Sequence, residues 1–336
     1  MRSVAAIHDD GVVRHSSSFA GPDVPATSVQ DPETSVSVYQ RAHLYGIANA
    51  KDAAARGLLR KRTTLEVTAL GDGSDYTAFQ DYAGISTLSL GFEYEADGSQ
   101  YHSIYDDFYW YTHFVDKDFV YGRALSQTAG TAIMRLADAD LIPVDYAPQA
   151  DAIANYVAEL EQLLKNKQEE FVERNLEIQE GVFEATQDPR NPSKPPPAEA
   201  VPPYINFAPL KNAIAVLKSS ADQYSQALAT FEDMGSPALS AQSLALINAD
   251  LLRVSRLFLN QKGLPERAWF KNQIYAPGAY TGYAAKPIAA VREYMDEQKW
   301  REAEAQVPQV AEVIERAAAG IKKAAEDFEN QMVHGR

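Results

Sequence analysis

The second half of the chain carries apolar residues spaced three and four positions apart. The same step occurs over residues 153–164, 244–258 and 310–328. The clearest run places these seven side chains on one helix face: Leu210, Ile214, Leu217, Ala221, Tyr224, Leu228 and Phe231. Four amphipathic helices bury their apolar faces best against one another. The pattern therefore predicts an all-α four-helix bundle over residues 146–336.

Proline separates the first two predicted helices. Seven prolines fall within residues 187–203, and proline lacks the backbone N–H that a helix interior needs. We predict an extended loop there, with a proline-motif ligand role as the alternative. Further on, Ser236 followed by Pro237 predicts the start of the third helix.

Residues 272–283 interrupt the helical pattern with three tyrosines and several turn-forming residues. Such a segment makes a poor helix, and we predict an aromatic loop. Loops on a rigid scaffold often carry binding groups. Alternatively, the tyrosines pack this loop onto the neighbouring domain, and both interpretations can hold together.

Residues 31–145 mix two kinds of pattern. Residues 63–69 and 85–92 predict strands, and residues 76–82 and 119–139 predict helices. This alternation is typical of an α/β sheet. Two or three strands fall short of the ~5–6 in an average sheet, so the region predicts an α/β fragment. Residues 1–30 lack periodicity and predict a loop or poorly ordered leader.

Composition excludes several classes of protein. The 336 residues carry a formal charge of −15, which disfavours binding to nucleic acid. The chain has no cysteine, so disulfides, thiol nucleophiles and cysteine-based zinc sites are excluded. No apolar run approaches the ~20 residues of a membrane span. The first thirty residues contain no secretory signal.

Candidate chemistry is sparse when residue types are considered alone. Of six histidines, only His102 has informative neighbours, in a stretch with Asp106 and Asp107. Zinc needs three or four protein ligands, so an ordinary hydrogen-bonded histidine is the favoured interpretation and a zinc ligand the alternative. The pair Glu169 and Glu170 lies on a predicted bundle helix and is interpreted as a solvated face.

Several separate strings resemble one known family in order and spacing. They are residues 70–76 (LGDGSDY), 101–106 (YHSIYD), 135–140 (RLADAD), 263–265 (GLP) and 270–277 (FKNQIYAP). They resemble the zinc peptidase family of glutamate carboxypeptidase and the transferrin receptor, from about residue 31 to the last helix. The resemblance implies part of a three-layer zinc-peptidase sheet in residues 31–145. A transferrin-receptor-like dimerisation domain would follow in residues 146–336 and form a homodimer.

The resemblance also implies roles for individual residues in a two-zinc peptidase site. His102 matches the last of five metal ligands. Tyr101 matches a tyrosine whose hydroxyl stabilises the oxyanion of the tetrahedral intermediate. Gly73 and Ser74 match the turn that lines the substrate cleft. Tyr283 matches a tyrosine that helps hold the terminal carboxylate of the substrate.

The chain also departs from the family pattern. The other four metal ligands and the general-base glutamate are expected upstream, and no segment before residue 60 supplies them. Gly282 stands where glutamate-specific members have lysine, and residues 86–90 (STLSL) replace an arginine-rich patch. We therefore expect a less acidic peptide substrate than glutamate.

Two hypotheses follow from these matches and departures. The first is the C-terminal portion of a two-zinc metallopeptidase, inactive as this chain alone and without stoichiometric zinc until an N-terminal catalytic half completes it. The second is a non-catalytic dimerisation module resembling the transferrin receptor. The family resemblance implies a periplasmic or extracellular location.

Overall fold

The structure is a computed structural model. It describes residues 3–9, 28–61, 69–70, 74–94, 100–282 and 284–334, and for residues 3–9, 93–94 and 334 it describes the backbone alone. None of the helices in these ranges is both long and apolar enough to span a bilayer.

Short elements make up the part of the chain before residue 146. They are β1 (Ser3–Asp9), α1 (Val38–Asn49), α2 (Ala53–Lys61), β2 (Leu88–Tyr94), α3 (Phe108–Trp110) and α4 (Val120–Ala137), with π-helical turns at Ala78–Ala83 and Tyr111–Val115. The strands β1 and β2 pair antiparallel, with Ser3 opposite Tyr94 and Asp9 opposite Leu88. Ser37 caps α1, because its hydroxyl accepts a hydrogen bond from the N–H of Gln40 (3.1 Å).

Two helices predicted for this part are confirmed, and one predicted strand is found at a slightly different position. The helix predicted at 119–139 is α4, and the one predicted at 76–82 ends in the first π-helical turn. The strand predicted at 85–92 is β2, displaced toward the C-terminus. The strand predicted at 63–69 falls almost entirely on residues 62–68, which lie outside the described residues.

One expectation for this part is corrected. A loop over residues 1–30 is wrong for residues 3–9, because that segment hydrogen-bonds to β2 and so gives a partner to a strand edge that would otherwise be open. Residues 10–27 lie outside the described residues. The sheet in the described ranges is this antiparallel pair, and the partial three-layer peptidase sheet expected in residues 31–145 stays a prediction.

Longer helices follow residue 146. They are α5 (Ala147–Glu180), α6 (Val182–Thr186), α7 (Ala208–Asp233), α8 (Ala241–Leu257), α9 (Ala289–Asp296) and α10 (Trp300–His334). The predicted bundle is confirmed, since α5, α7, α8 and α10 share one apolar core. All seven residues of the predicted α7 face are buried. Tyr224 on α7 packs edge-on against Tyr146, with ring centroids 5.1 Å apart.

The predicted start of α8 is wrong by four residues. Ser236 belongs to the end of α7, because its N–H bonds to the carbonyl of Phe231 (3.0 Å) and its φ of 49° lies in the left-handed region. The helix starts at Ala241 instead. Ser240 caps it with a hydroxyl that accepts a hydrogen bond from the N–H of Ser243 (3.1 Å).

The proline-rich segment is extended, as predicted, and side-chain amides of α5 bind its backbone. Asn175 donates to the carbonyl of Glu199 (2.7 Å) and accepts from the N–H of the same residue (3.1 Å). Gln168 donates to the carbonyl of Pro202 (3.0 Å). These amides pair backbone groups that neither a helix nor a strand satisfies.

The first π-helical turn connects the N-terminal region to the helical region. The carbonyl of Asp81 accepts hydrogen bonds from the N–H groups of Lys271 (2.8 Å) and Asn272 (3.0 Å). Tyr82 stacks on Trp269 at 5.5 Å, and the ammonium of Lys271 lies 3.7 Å from the centre of the Tyr82 ring. Gly84 ends the turn with φ 64°, where a Cβ would lie 2.9 Å from the Arg256 backbone. The backbone therefore approaches too closely for a larger residue.

Candidate active site

Tyr101 and His102 lie together on an exposed turn. Their rings stack with centroids 3.9 Å apart and planes inclined by 23°. The N–H of Ser103 bonds to the carbonyl of Gln100 (2.9 Å) and closes the turn. His102 has φ 64°, a left-handed conformation that is uncommon for residues other than glycine. Backbone strain of this kind often occurs at functional sites.

The acidic neighbours of His102 have structural contacts of their own. The N–H of Asp106 bonds to the carbonyl of Ser103 (3.1 Å). The carboxylate of Asp107 accepts a hydrogen bond from the N–H of Trp110 (2.8 Å) and thereby caps α3. Among the described ranges, no three His, Asp or Glu side chains converge on a point where they could hold a metal. The described residues therefore do not by themselves form the complete two-zinc site that the resemblance implies.

Of the remaining predicted site residues, Ser74 lies in the part of the chain that the structure describes. Ser74 is exposed and precedes the first π-helical turn, where its carbonyl accepts from the N–H (3.2 Å) and hydroxyl (2.8 Å) of Thr77. Gly73 and Tyr283 lie outside the described residues. The metal, oxyanion and substrate roles of this set stay predictions.

The glutamate pair on α5 is a solvated face, as interpreted from the sequence. Glu170 bonds to Lys167 (3.0 Å) and Arg174 (2.9 Å) at the helix surface. The Lys167 ammonium is the main cause that holds the pKa of Glu170 below its usual value. Glu169 makes a looser pair with Lys165 (3.8 Å).

A partly buried ion pair holds the loop that leads to Tyr283. One guanidinium nitrogen of Arg267 donates to the carbonyl of Pro277 (2.8 Å), and the other bonds to both carboxylate oxygens of Glu293 (2.8 and 2.9 Å). Glu293 also accepts from the N–H of Ala279 (2.7 Å). Both charged side chains are less than one-fifth exposed. The pair thus ties this loop to α9.

Sequence reasoning missed this ion pair. Its members are 26 positions apart, and no periodic pattern connects a loop arginine to an acid on a short helix. The sequence carries no clear signal for it, because Glu266 stands directly beside Arg267 and offers a nearer carboxylate than Glu293.

The two described tyrosines of the 272–283 loop differ in burial, and both interpretations offered above stay predictions. Tyr275 is buried and packs edge-on against Tyr156, with centroids 6.2 Å apart. Tyr280 is 89% exposed. One half of the loop therefore packs into the helical region, and the other half projects from it.

Several large apolar side chains follow the Tyr101–His102 turn in the sequence and are exposed. Their exposure runs from 48% (Phe119) to 86% (Ile104). We call this set the aromatic surface; it comprises Ile104, Tyr105, Phe108, Tyr109, Phe114 and Phe119. Two ring pairs lie within it, Phe108 with Phe119 (6.2 Å) and Tyr109 with Phe114 (6.3 Å). The sequence shows that these residues are apolar, but it does not predict that their side chains are exposed.

A polar cleft of about 700 Å³ lies elsewhere, between residues 28–34 and α4, and contains none of the predicted site residues. Near it, Arg41 bonds to Asp31 (2.7 Å) and to the hydroxyl of Tyr121 (2.9 Å). Burial, with smaller contributions from a hydrogen bond to Glu33 and the charge of Asp31, raises the pKa of Tyr121 to about 12. These contacts stabilise the packing of residues 28–41 on α4.

Comparison with known proteins finds similarity in both regions. Residues 205–322 match the transferrin receptor-like dimerisation domain family. Mouse Aminopeptidase NAALADL1 is 25% identical over 263 residues, covering 75% of this chain and 31% of the mouse protein. The Probable glutamate carboxypeptidase LAMP1 of Arabidopsis thaliana is 25% identical, covering 75% of this chain and 31% of that protein.

A fungal relative gives a similar result. The Probable glutamate carboxypeptidase of Arthroderma benhamiae is 28% identical over 266 residues, covering 77% of this chain and 30% of that protein. The chain thus spans just under a third of the length of the curated relatives it matches. Three quarters of the chain is more than residues 146–336 can hold. Part of the similarity therefore lies in the region that contains Tyr101 and His102.

Proposed function

We propose that this chain, which resembles the family of glutamate carboxypeptidase and the transferrin receptor and carries that family's dimerisation domain in residues 205–322, is the C-terminal portion of a two-zinc metallopeptidase. It would hydrolyse peptide bonds only when the rest of a peptidase domain completes its site. Residues 31–145 would then be the C-terminal part of the three-layer peptidase sheet.

The extent of the similarity carries this proposal. A match confined to the dimerisation domain would be equally compatible with an interaction module. Instead, relatives with peptidase names align over 75–77% of the chain, so the alignment reaches the region before residue 146. The alternative is a non-catalytic module like the transferrin receptor ectodomain.

Each site residue has a chemical role in this proposal. His102 supplies one imidazole to the metal site. The hydroxyl of Tyr101, 58% exposed in this structure, donates a hydrogen bond to the oxyanion that develops at the scissile carbonyl. Gly73 and Ser74 line the substrate cleft, and Tyr283 contacts the terminal carboxylate of the substrate.

The proposed substrate is a peptide that is less acidic than a glutamate-terminated one. A carboxylate side chain in a pocket needs a cation or several donors to offset its desolvation. Gly282 offers no charge next to Tyr283, and residues 86–90 contain only hydroxyl and apolar side chains. A neutral or apolar terminal residue fits these groups better than glutamate does.

A hydrolysis assay tests the proposed activity. Purified chain with added zinc should not cleave a panel of neutral and acidic dipeptides. Mixed with the polypeptide that carries the relatives' remaining peptidase segment, it should gain hydrolysis. His102→Ala should abolish that activity, and Tyr101→Phe should lower kcat by roughly 10²- to 10³-fold, the range for losing one oxyanion donor. Hydrolysis by the chain alone, or a mixture indifferent to His102→Ala, contradicts the proposal.

We also propose that the chain forms a homodimer through its helical region. The match of residues 205–322 to a dimerisation domain supports it, and closed two-fold dimers are the commonest assemblies of soluble proteins. Light scattering at micromolar concentration should give twice the mass of one chain. A monomeric mass at that concentration contradicts it.

A further inference from the structure

Residues 274–282 and 284–288 form a short hairpin. At its base, the N–H of Ile288 donates to the carbonyl of Ile274 (2.9 Å). In the sequence, Tyr283 falls between the two sides of this hairpin. A residue that fixes the base of the hairpin therefore fixes where its two sides lead.

The side chain of Asn272 organises the base of the hairpin. Its Oδ1 accepts hydrogen bonds from the N–H groups of Ile274 (2.9 Å) and Tyr275 (3.0 Å). An asparagine that binds the backbone a few residues ahead mimics a turn and sets the direction of the chain that follows. Asn272 is only 5% exposed, so water has little access to replace these bonds.

Asn272 also contacts the first π-helical turn. Its backbone N–H donates to the carbonyl of Asp81 (3.0 Å), and its Nδ2 donates to the carbonyl of Gln80 (3.4 Å). Ser74 belongs to the same segment, because its carbonyl accepts from the N–H and hydroxyl of Thr77, the residue before this turn. One asparagine therefore joins the hairpin to the segment that contains Ser74.

We infer that Asn272 is a positioning residue, which sets the distance between the Ser74 segment and the hairpin that leads to Tyr283. The inference rests on the proposed function, because that function assigns substrate contacts to both segments. Asn272 holds the two sides of the substrate cleft at the spacing that binds the terminal residue of the substrate, and it supplies no group to the reaction. Its loss should therefore raise KM more than it lowers kcat.

Amide exchange of the full chain, followed by mass spectrometry, tests the connection itself. Asn272→Ala should speed exchange by about tenfold at residues 76–83 and 274–282, while α7 stays protected. The matched control is Asn260→Ala, because the Oδ1 of Asn260 accepts from the N–H of Lys262 (3.0 Å) in the same loop. This control should leave exchange in both segments unchanged. Circular dichroism of each variant checks that it is folded.

Kinetics test the consequence for substrate binding. The chain is mixed with the polypeptide that carries the relatives' remaining peptidase segment, and dipeptides with neutral terminal residues are the substrates. Asn272→Ala should raise KM by about tenfold and change kcat by less than about twofold. Asn272→Asp keeps an oxygen that accepts from Ile274 and Tyr275, but its carboxylate cannot donate to Gln80. It should therefore restore slow exchange in the hairpin without restoring KM.

The outcomes separate this inference from the proposed function. Unchanged exchange in Asn272→Ala, a fall in kcat at unchanged KM, or recovery of both exchange and KM in Asn272→Asp overturns the inference. Hydrolysis by the unaltered mixture would then still support the proposed function. If the unaltered mixture cleaves no peptide, the proposed function fails and exchange alone decides the connection. Faster exchange in both segments then supports it, and unchanged exchange rejects it.

Discussion

The helical region and the region before residue 146 differ most in how they bury their apolar side chains. In the helical region, buried residues from α5, α7, α8 and α10 form one continuous core. In the N-terminal region, the described residues include a separate small apolar cluster of Val29, Val38 and Ala124, against which Tyr39 and Phe92 pack. The aromatic surface of the same region faces solvent. One region buries most of its apolar side chains in a core of its own, and the other leaves several large apolar side chains exposed.

This difference has a simple energetic meaning. Full burial of a leucine or isoleucine side chain stabilises a fold by about 1.5–3 kcal/mol. Many such side chains in one core offset much of the conformational entropy of ordering the chain, and a small cluster offsets correspondingly less. The helical region is therefore expected to be the stable part of the molecule.

A substitution in the bundle core should have the largest effect. Leu217 on α7 is 1% exposed, so Leu217→Ala leaves a cavity and should lower the free energy of unfolding by about 3 kcal/mol. Val216, the adjacent residue on the same helix, is 51% exposed. Val216→Ala should change stability by less than about 0.5 kcal/mol. Urea denaturation followed by circular dichroism measures both free energies of unfolding. Equal losses in the two variants would contradict the role of Leu217 in the bundle core.

Loss of the Arg267–Glu293 pair should come next. Glu293→Gln leaves the Arg267 guanidinium without a charge partner in a poorly solvated position, at a cost of about 2 kcal/mol. Because the same carboxylate accepts from Ala279, amide exchange should accelerate at residues 277–282 while α7 stays protected. Glu297→Gln serves as a control, since that acid pairs with Lys299 at the surface. Unchanged exchange in the Glu293 variant would show that the pair does not hold the loop.

Alkaline pH should weaken the helical region through Tyr156. Burial, and secondarily the charge of Glu159, raises the pKa of Tyr156 to about 12 from its usual 10. As pH rises, the unfolded state loses the Tyr156 proton before the folded state does. The stabilising contribution of the protonated Tyr156 hydroxyl is therefore complete below pH 10 and is lost as pH rises from 10 to 12. In the variant Tyr156→Phe, the free energy of unfolding should fall by about 1–2 kcal/mol less over this pH range than in the unaltered protein. Urea denaturation at pH 9, 11 and 12 measures it, and parallel curves for both proteins would contradict the assignment.

The smallest effect on the bundle should come from the N-terminal region. Val38 belongs to the small apolar group, and Val38→Ala should speed amide exchange in α1. It should change the urea midpoint of the helical region by no more than the experimental error, because substitutions at distant, independent sites act separately. A shifted midpoint would mean that the two regions unfold as one unit.

The sequence predicted the bundle well because its signal is periodic and local. The residues of the α7 stripe are all buried, and both the proline-rich loop and α4 formed as predicted. One error is local, because Ser236 ends one helix by bonding to Phe231 instead of starting the next. The other arises from a long-range contact, because the strand β1 depends on pairing with residues of β2 that lie 79 to 91 positions away.

The candidate site was less predictable for the same physical reason. Tyr101 and His102 are neighbours in sequence, so their association needs no tertiary contact. A metal site requires ligands from several distant segments, and one sequence does not reveal which of them meet. The exposure of the aromatic surface likewise depends on what packs against it, since a cluster of aromatic residues in sequence fits a core and an interface equally well.

Metal analysis of the purified chain tests the central claim most directly. Among the described residues, the imidazole of His102 lacks the further ligands needed to bind a pair of zinc ions. After incubation with zinc and gel filtration, elemental analysis should find well under one zinc ion per chain, and His102→Ala should not change that value. About two zinc ions per chain, lost on His102→Ala, would show that this polypeptide already contains a complete site.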